Sequence, residues 1–183
     1  RADWVDGHPG RYLPVDDPEA TMLGSEQWAW LAERLREPAD VRIIASSIQV
    51  LPDGHRFEKW GNMPRERARL LQLIADTGAR GVVFVSGDRH RGELSRLDPS
   101  PAGYPLHELT SSAMNRGGGA SMHEINDLRV GSVLNEHNFG LVELEWGDDP
   151  AVVLMLCRDD GRTWLRHRIP LADLQPPTAA AGD

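Results

Sequence analysis

Cysteine is almost absent: Cys157 is the only one in 183 residues. This excludes an internal disulfide and a zinc-thiolate cage and leaves packing to supply stability. Long apolar runs are also lacking, since nothing approaches the roughly 18 consecutive residues of a membrane-spanning helix. No basic segment followed by an apolar one opens the chain as a secretion signal would. Positive charge is in deficit, with 20 Lys+Arg against 28 Asp+Glu and a formal charge of -8. A field of that sign argues against non-specific binding to nucleic acid or acidic lipid. A phosphate-bearing ligand therefore needs local positive charge, from arginines or from a metal ion. The chain begins at Arg1, and RADWVDGHPGRYLPVDDPEA has no start of its own, so a piece of a longer polypeptide is expected. What is present is an ordinary globular balance, 40% hydrophobic and 26% charged, over a length that suits one packed domain.

Residues 1–23, rich in Gly, Pro and Asp, predict an extended arm. From Ser25, read as the cap, Trp28, Leu31, Ala32 and Leu35 fall at helical spacing until Pro38 stops them. The apolar, β-branched run 41–50 predicts a central strand covered on both faces. It empties into the loop LPDGHRFEKWGNM, after which Pro64 opens a helix ending at Gly78. Leu70, Leu71, Ile74 and Ala75 form the buried stripe of that helix, and Arg65, Arg67, Arg69 and Arg80 stay wet. GVVFVS, 81–86, is a second buried strand. Strand, helix and strand in that order imply a crossover with parallel pairing. Ligands are then expected beyond the carboxyl ends of the strands, in the loops after Ile48 and Val85.

The second half reads as β-meander. Strand candidates are 94–97, 106–111, 139–146, 151–158 and 163–169; in one, Val142, Leu144 and Trp146 alternate with Glu143 and Glu145. Asp160-Gly161 signals a hairpin turn. The polar stretch 115–135, with Gly117, Gly118 and Gly119, predicts a long segment that is mobile or shaped by a ligand. The tail 175–183 is expected to be disordered, leaving one domain over 24–174.

Reactive side chains are densest in SGDRH, Ser86 through His90, directly after GVVFV. If the backbone stays extended, Asp88 and His90 project to one side as half of a metal site, with Arg89 and Arg91 on the other. The alternative is a strand-end aspartate that accepts backbone hydrogen bonds beside a packed histidine. The second candidate is the 51–63 loop with Gln49 before it. Arg56 offers a planar fork for phosphate, Trp60 a flat wall, and Gln49 a neutral amide, alongside His55 and Glu58. Its alternative is a solvated loop anchored by Trp60. NRGGGAS lacks the Lys-Ser/Thr pair of a phosphate loop and reads as a connector. His107 and His167 read as packing or solvent-facing groups, Cys157 has no activating partner, and Ser86 and Ser111 have no evident base.

In order along the chain, MLGSEQWAWLAERL, RIIASSIQVLPDGHRFEKWGNMPRERARLLQLI, GVVFVSGDRH, PLHELTSS and NFGLVEL resemble the C-terminal half of the alkaline phosphatase D (PhoD-like) metallophosphoesterase family, over about 21–142. The resemblance implies an α/β fold, the C-terminal half of a calcineurin-like α/β/β/α sandwich, and metal-dependent hydrolysis of phosphate mono- or diesters. It implies that Asp88 and His90 are catalytic metal ligands, that Gln49, Arg56 and Trp60 lie on the substrate side, and that calcium and iron are the metals. A periplasmic or secreted location and a small phosphate-ester substrate go with it. The family's D-x-H, G-D-x-x-D and G-N-H segments are absent; GDRH is the only Gly-Asp-x-His, and Gly61-Asn62 runs into Met63. The expectation is therefore a fragment of a phosphoric ester hydrolase lacking the N-terminal ligands. The alternative is a non-catalytic structural or binding module of the same fold. A sheet edge left exposed would favour self-association.

Overall fold

The computed structural model describes residues 12–117 and 124–176. The expected arm up to residue 11, the glycines at 118 and 119, and the tail from 177 onward lie outside the described residues.

Helix α1 spans Gly24–Arg36 and buries Trp28, Leu31 and Leu35, three of the four positions its spacing predicts. Its cap differs from expectation. Ser25 is exposed inside the first turn, and the Thr21 hydroxyl accepts the Gly24 N–H at 2.9 Å. Helix α2, Pro64–Asp76, starts with proline in its first turn and buries Leu70, Leu71 and Ile74. Its Glu66 also points inward, accepting from Thr21 Oγ1, Met22 N and Trp28 Nε1 at 2.7–2.8 Å. Burial pushes the Glu66 carboxyl up, but these donors outweigh it and hold the group below its ordinary range. One buried carboxylate thus ties the chain's entry and α1 to α2.

The sheet beneath the helices contains β1 (Arg42–Ser46), β2 (Val82–Ser86), β3 (Gly92–Leu97), β4 (Leu106–Ser111) and β5 (Arg129–Leu134) in the order β1-β2-β4-β3-β5. β1, β2 and β4 run parallel, as the strand-helix-strand pattern requires, and β3 is antiparallel to both β4 and β5. A second, antiparallel sheet holds β6 (Asn138–Glu145), β7 (Ala151–Arg158) and β8 (Thr163–Pro170). The β7–β8 turn has Gly161 at φ +83°, a conformation that an L side chain resists.

The helices lie on one face of the five-stranded sheet and the second sheet on the other. Leu94 and Leu109 on the inner face are buried in one cluster with Val152, Leu154 and Leu156 of β7. The layers touch at Gly140, where a Cβ would sit 3.1 Å from both Leu109 Cδ2 and Ser111 Cβ.

Three expectations need correction. β1 is an edge strand, not a central one: it stops at Ser46, and Ile43 is 49% exposed. The apolar run looked longer because Val50 leaves the sheet and enters the core. The face carrying Ile43 is open because β6–β8 seat on β3, β4 and β5 instead. The stretch 115–135 is not uniformly irregular, since it contains β5, held against β3. Trp146 lies past the end of β6 and is 63% exposed.

Candidate functional site

β2 ends at Ser86 and β3 begins at Gly92, so residues 87–91 form the turn at the carboxyl end of the sheet. The backbone does not stay extended there. Asp88 and His90 both adopt left-handed conformations, at φ 67° and 51°, where side chains other than glycine are strained. The alternation expected of an extended strand is replaced by one in which Asp88 and His90 are exposed and Arg89 and Arg91 are buried. The buried pair anchors the turn. Both guanidiniums bond the Glu124 carboxylate, Arg91 at 3.1 Å, and Arg89 stacks 4.3 Å over the Phe57 ring. Desolvation lowers the Arg89 pKa and the Glu124 charge opposes it. A charge-paired base of this kind can hold two strained residues in place.

The 51–63 loop meets the turn through the same ring, because Arg56 lies 5.1 Å from the Phe57 centroid. His55 is buried beneath it with no hydrogen-bond partner on either ring nitrogen among the described residues. Burial, then Arg89, Lys59 and Arg91, push the imidazole down to about 2, so it is neutral. Arg56 is exposed. Trp60 is a buried anchor: its indole N–H donates to Ser46 Oγ at 3.0 Å, and its ring packs edge-on to Trp28 at 6.3 Å.

Gln49 is fully enclosed, and its amide nitrogen donates to Glu93 Oε1 at 2.7 Å and to Thr110 Oγ1 at 2.8 Å. Two carboxylates that the sequence reading did not single out flank this amide. Glu93 also accepts from Arg129 Nε at 2.9 Å and from Asn126 at 3.2 Å. Burial raises its pKa, but the bonds from Gln49 and Arg129 outweigh that and leave it low. Glu108 has no exposure and accepts from Ser86 Oγ at 2.5 Å and from the Val50 and Leu51 amides. Its carboxyl is pushed up by desolvation, opposed by those donors and reinforced by the Glu93 charge. Ser86, which showed no base in the sequence, therefore has an acidic partner. The legible signal was a glutamate next to a leucine inside each strand, in GEL and in LHELT.

The predicted site residues do not converge on one point. Asp88 and His90 share the exposed turn, Arg56 reaches the ring beneath it, and Gln49 and Trp60 are internal, joined by the bond from Trp60 N to Gln49 O at 2.8 Å. Among the described residues no three His, Cys, Asp or Glu side chains gather as a metal cage. Two donors fall short of the four that zinc takes or the six or more that calcium takes, so these residues alone do not fit a metal ion. Beside the turn, a groove of about 600 Å³ runs between the open face of β1–β2 and the edge of β6, lined by Ala45, Val85, Ser86, Leu109 and Val142 among others.

A solved structure described as the structure of PhoD superposes on 93% of the chain with a TM-score of 0.58 and 18% identity. At that identity the likeness establishes the fold, an α/β arrangement consistent with the C-terminal portion of that architecture. The chain spans 39% of the length of that structure. A comparison with curated proteins finds no match. The family model of the PhoD-like phosphatases matches residues 6–145, a wider span than the motifs alone mark out, and on that match the chain belongs to the PhoD-like phosphatase family.

Proposed function

We propose that the chain is part of a metal-dependent phosphoric ester hydrolase, in which Asp88 and His90 join a metal centre completed by residues outside these 183. The observation that carries this reading is the turn at 87–91. A carboxylate and an imidazole stand exposed in strained conformations at the carboxyl end of a parallel strand, braced from below by Arg89, Arg91 and Glu124. Strain of that kind persists only where the surroundings impose it, and ligands of open parallel sheets sit at such strand ends. Calcium and iron are the metals that the family resemblance implies, and bound there they would supply positive charge to a phosphate in a chain that is itself acidic. The chain's own residues orient the donors, and Arg56, on the loop that shares Phe57 with Arg89, is positioned to bind a phosphate oxygen of a small ester. The open inner face of β1–β2 and the edges of β1 and β6, unpaired among the described residues, support a continuation of both sheets by the rest of a longer polypeptide.

A second reading, a non-catalytic module, is favoured for the isolated chain by the lack of a third ligand among the described residues. The two are separated by measuring hydrolysis of p-nitrophenyl phosphate and its diester. In the longer polypeptide, Asp88→Ala and His90→Ala each lower turnover on the order of 10²-fold or more with the circular dichroism spectrum unchanged, and the 183-residue chain alone is inactive. Undiminished turnover in both variants would overturn the assignment.

A further inference from the structure

Glu108 is fully buried, and among the described residues no cation is bonded to it. Its partners are two backbone amides and a hydroxyl: Val50 N at 3.0 and 3.1 Å, Leu51 N at 2.6 Å and Ser86 Oγ at 2.5 Å. The neighbouring charge that acts on it is Glu93, which repels it. A buried carboxylate without a cation is an expensive way to fill a layer, so its use lies in what it holds.

Val50 and Leu51 lie beyond the end of β1, where no strand is available to take their amides. Glu108 takes both. From the other side Arg67 of α2 takes both carbonyls, Nε to Val50 O and Nη2 to Leu51 O, each at 2.7 Å. The peptide groups of these two residues are therefore clamped between a carboxylate on the sheet and a guanidinium on the helix. Glu108 fastens the same clamp to the last residue of β2, Ser86, from which the 87–91 turn departs.

The hydrogen bonds around Ser86 have one consistent direction. The Gln49 amide donates to Thr110 and Ser86 donates to Glu108; with the single Ser86 proton spent there, the 2.9 Å contact between the two hydroxyls takes its proton from Thr110. A chain of donors needs an acceptor at its end, and a Glu108 carboxyl oxygen is that end. An alanine in its place takes that acceptor from Ser86, whose proton must then turn toward Thr110. The Thr110 proton is left without the oxygen it had used.

We infer that Glu108 is a positioning residue, which locks the 49–51 segment to the end of β2 and so fixes the base of the Asp88–His90 turn. Only its effect on turnover rests on the hydrolase reading. The lock itself belongs to the fold.

The test compares Glu108→Ala and Ser86→Ala with wild type in the polypeptide used for turnover, by residue-resolved hydrogen exchange and steady-state kinetics. For Glu108→Ala, which removes both acceptor oxygens, exchange at the Val50, Leu51, Ser86 and Arg89 amides rises about tenfold or more while β7 amides keep their rates. The kcat falls on the order of 10- to 100-fold, and KM changes by less than about threefold because the substrate-side loop keeps its own anchor at Trp60. Ser86→Ala cuts one arm of the lock, so exchange rises at Ser86 and Arg89 and stays at the wild-type rate at Val50 and Leu51. If Glu108→Ala does not fold, this variant decides alone. Unchanged exchange at these amides, or an equal rise across β7, overturns the inference. If wild type hydrolyses neither substrate, the hydrolase reading fails, and the exchange pattern still decides for or against the lock.

Discussion

The two halves of the five-stranded sheet, one parallel and one antiparallel, differ in their cover. On the inner face, Leu94 and Leu109 in the β3–β4 half are buried against β7, whereas Val85 is half-buried and Ala45 and Ile43 at the β1 edge are exposed. Hydropathy does not account for the gradient, since RIIAS is as apolar as many buried strands. Cover depends on where the second sheet sits, and β6–β8 sit over β3, β4 and β5. A strand's composition reports what it can bury, and tertiary contact determines which face is buried.

The difference in cover shows in stability. Leu154→Ala, beneath the covered half, is expected to lower unfolding free energy by about 2–5 kcal/mol in denaturant titrations, because Leu154 is fully enclosed. A loss under about 1 kcal/mol would mean that the two sheets are not packed as described.

The next effect depends on pH. His107 of β4 faces His167 of β8, with ring centroids 5.3 Å apart, at the covered end of the sandwich. Burial, then His167 and Arg96, push His107 down to about 3, as burial and nearby cations push His55 down to about 2. Both folded values lie below the unfolded value of about 6.5, so protonation favours the unfolded chain. Their contribution is fully present above about pH 6.5 and is lost as pH falls. Between about pH 6.5 and 4.5 the slope is up to about 1.4 kcal/mol per pH unit for each histidine. Replacing His107 by Gln removes its share, and an unaltered slope in that variant would show that its imidazole is free to protonate in the fold.

The smallest effect belongs to the open half. Ile43→Ser in this chain is expected to change stability by no more than about 0.5 kcal/mol. In a longer polypeptide whose additional strands cover that face, the same substitution is expected to cost about 1.5–3 kcal/mol. Equal, small values in both would show that the face stays open.

Local elements were legible in the sequence where a period and a punctuating residue agreed. Pro64 and Gly78 bracket α2, Asp160-Gly161 marks the β7–β8 turn, and β4 and β7 match their predicted bounds. β5 was not legible because a glycine stands in the middle of RVGSVL and its pairing with β3 is non-local. At the site, the sequence drew attention to Asp88 and His90 but not to their left-handed backbone, which depends on Glu124 more than thirty residues away holding Arg89 and Arg91. Gln49 and Trp60 looked like pocket residues because polar and aromatic side chains in a loop resemble a binding surface. Their partners, Glu93, Thr110 and Ser46, are brought to them only by the sheet.

Residue 140 works as a shim between the layers. With a single hydrogen there, β6 can lie flat on Leu109 and Ser111, and two residues earlier Asn138 bolts the strand to the exit of β4 through Ala113 O at 3.1 Å and the Ser111 hydroxyl at 2.9 Å. Any added bulk would act as a wedge with its pivot at Asn138, swinging the rest of β6 outward and changing the width of the cleft that separates it from β1 and β2.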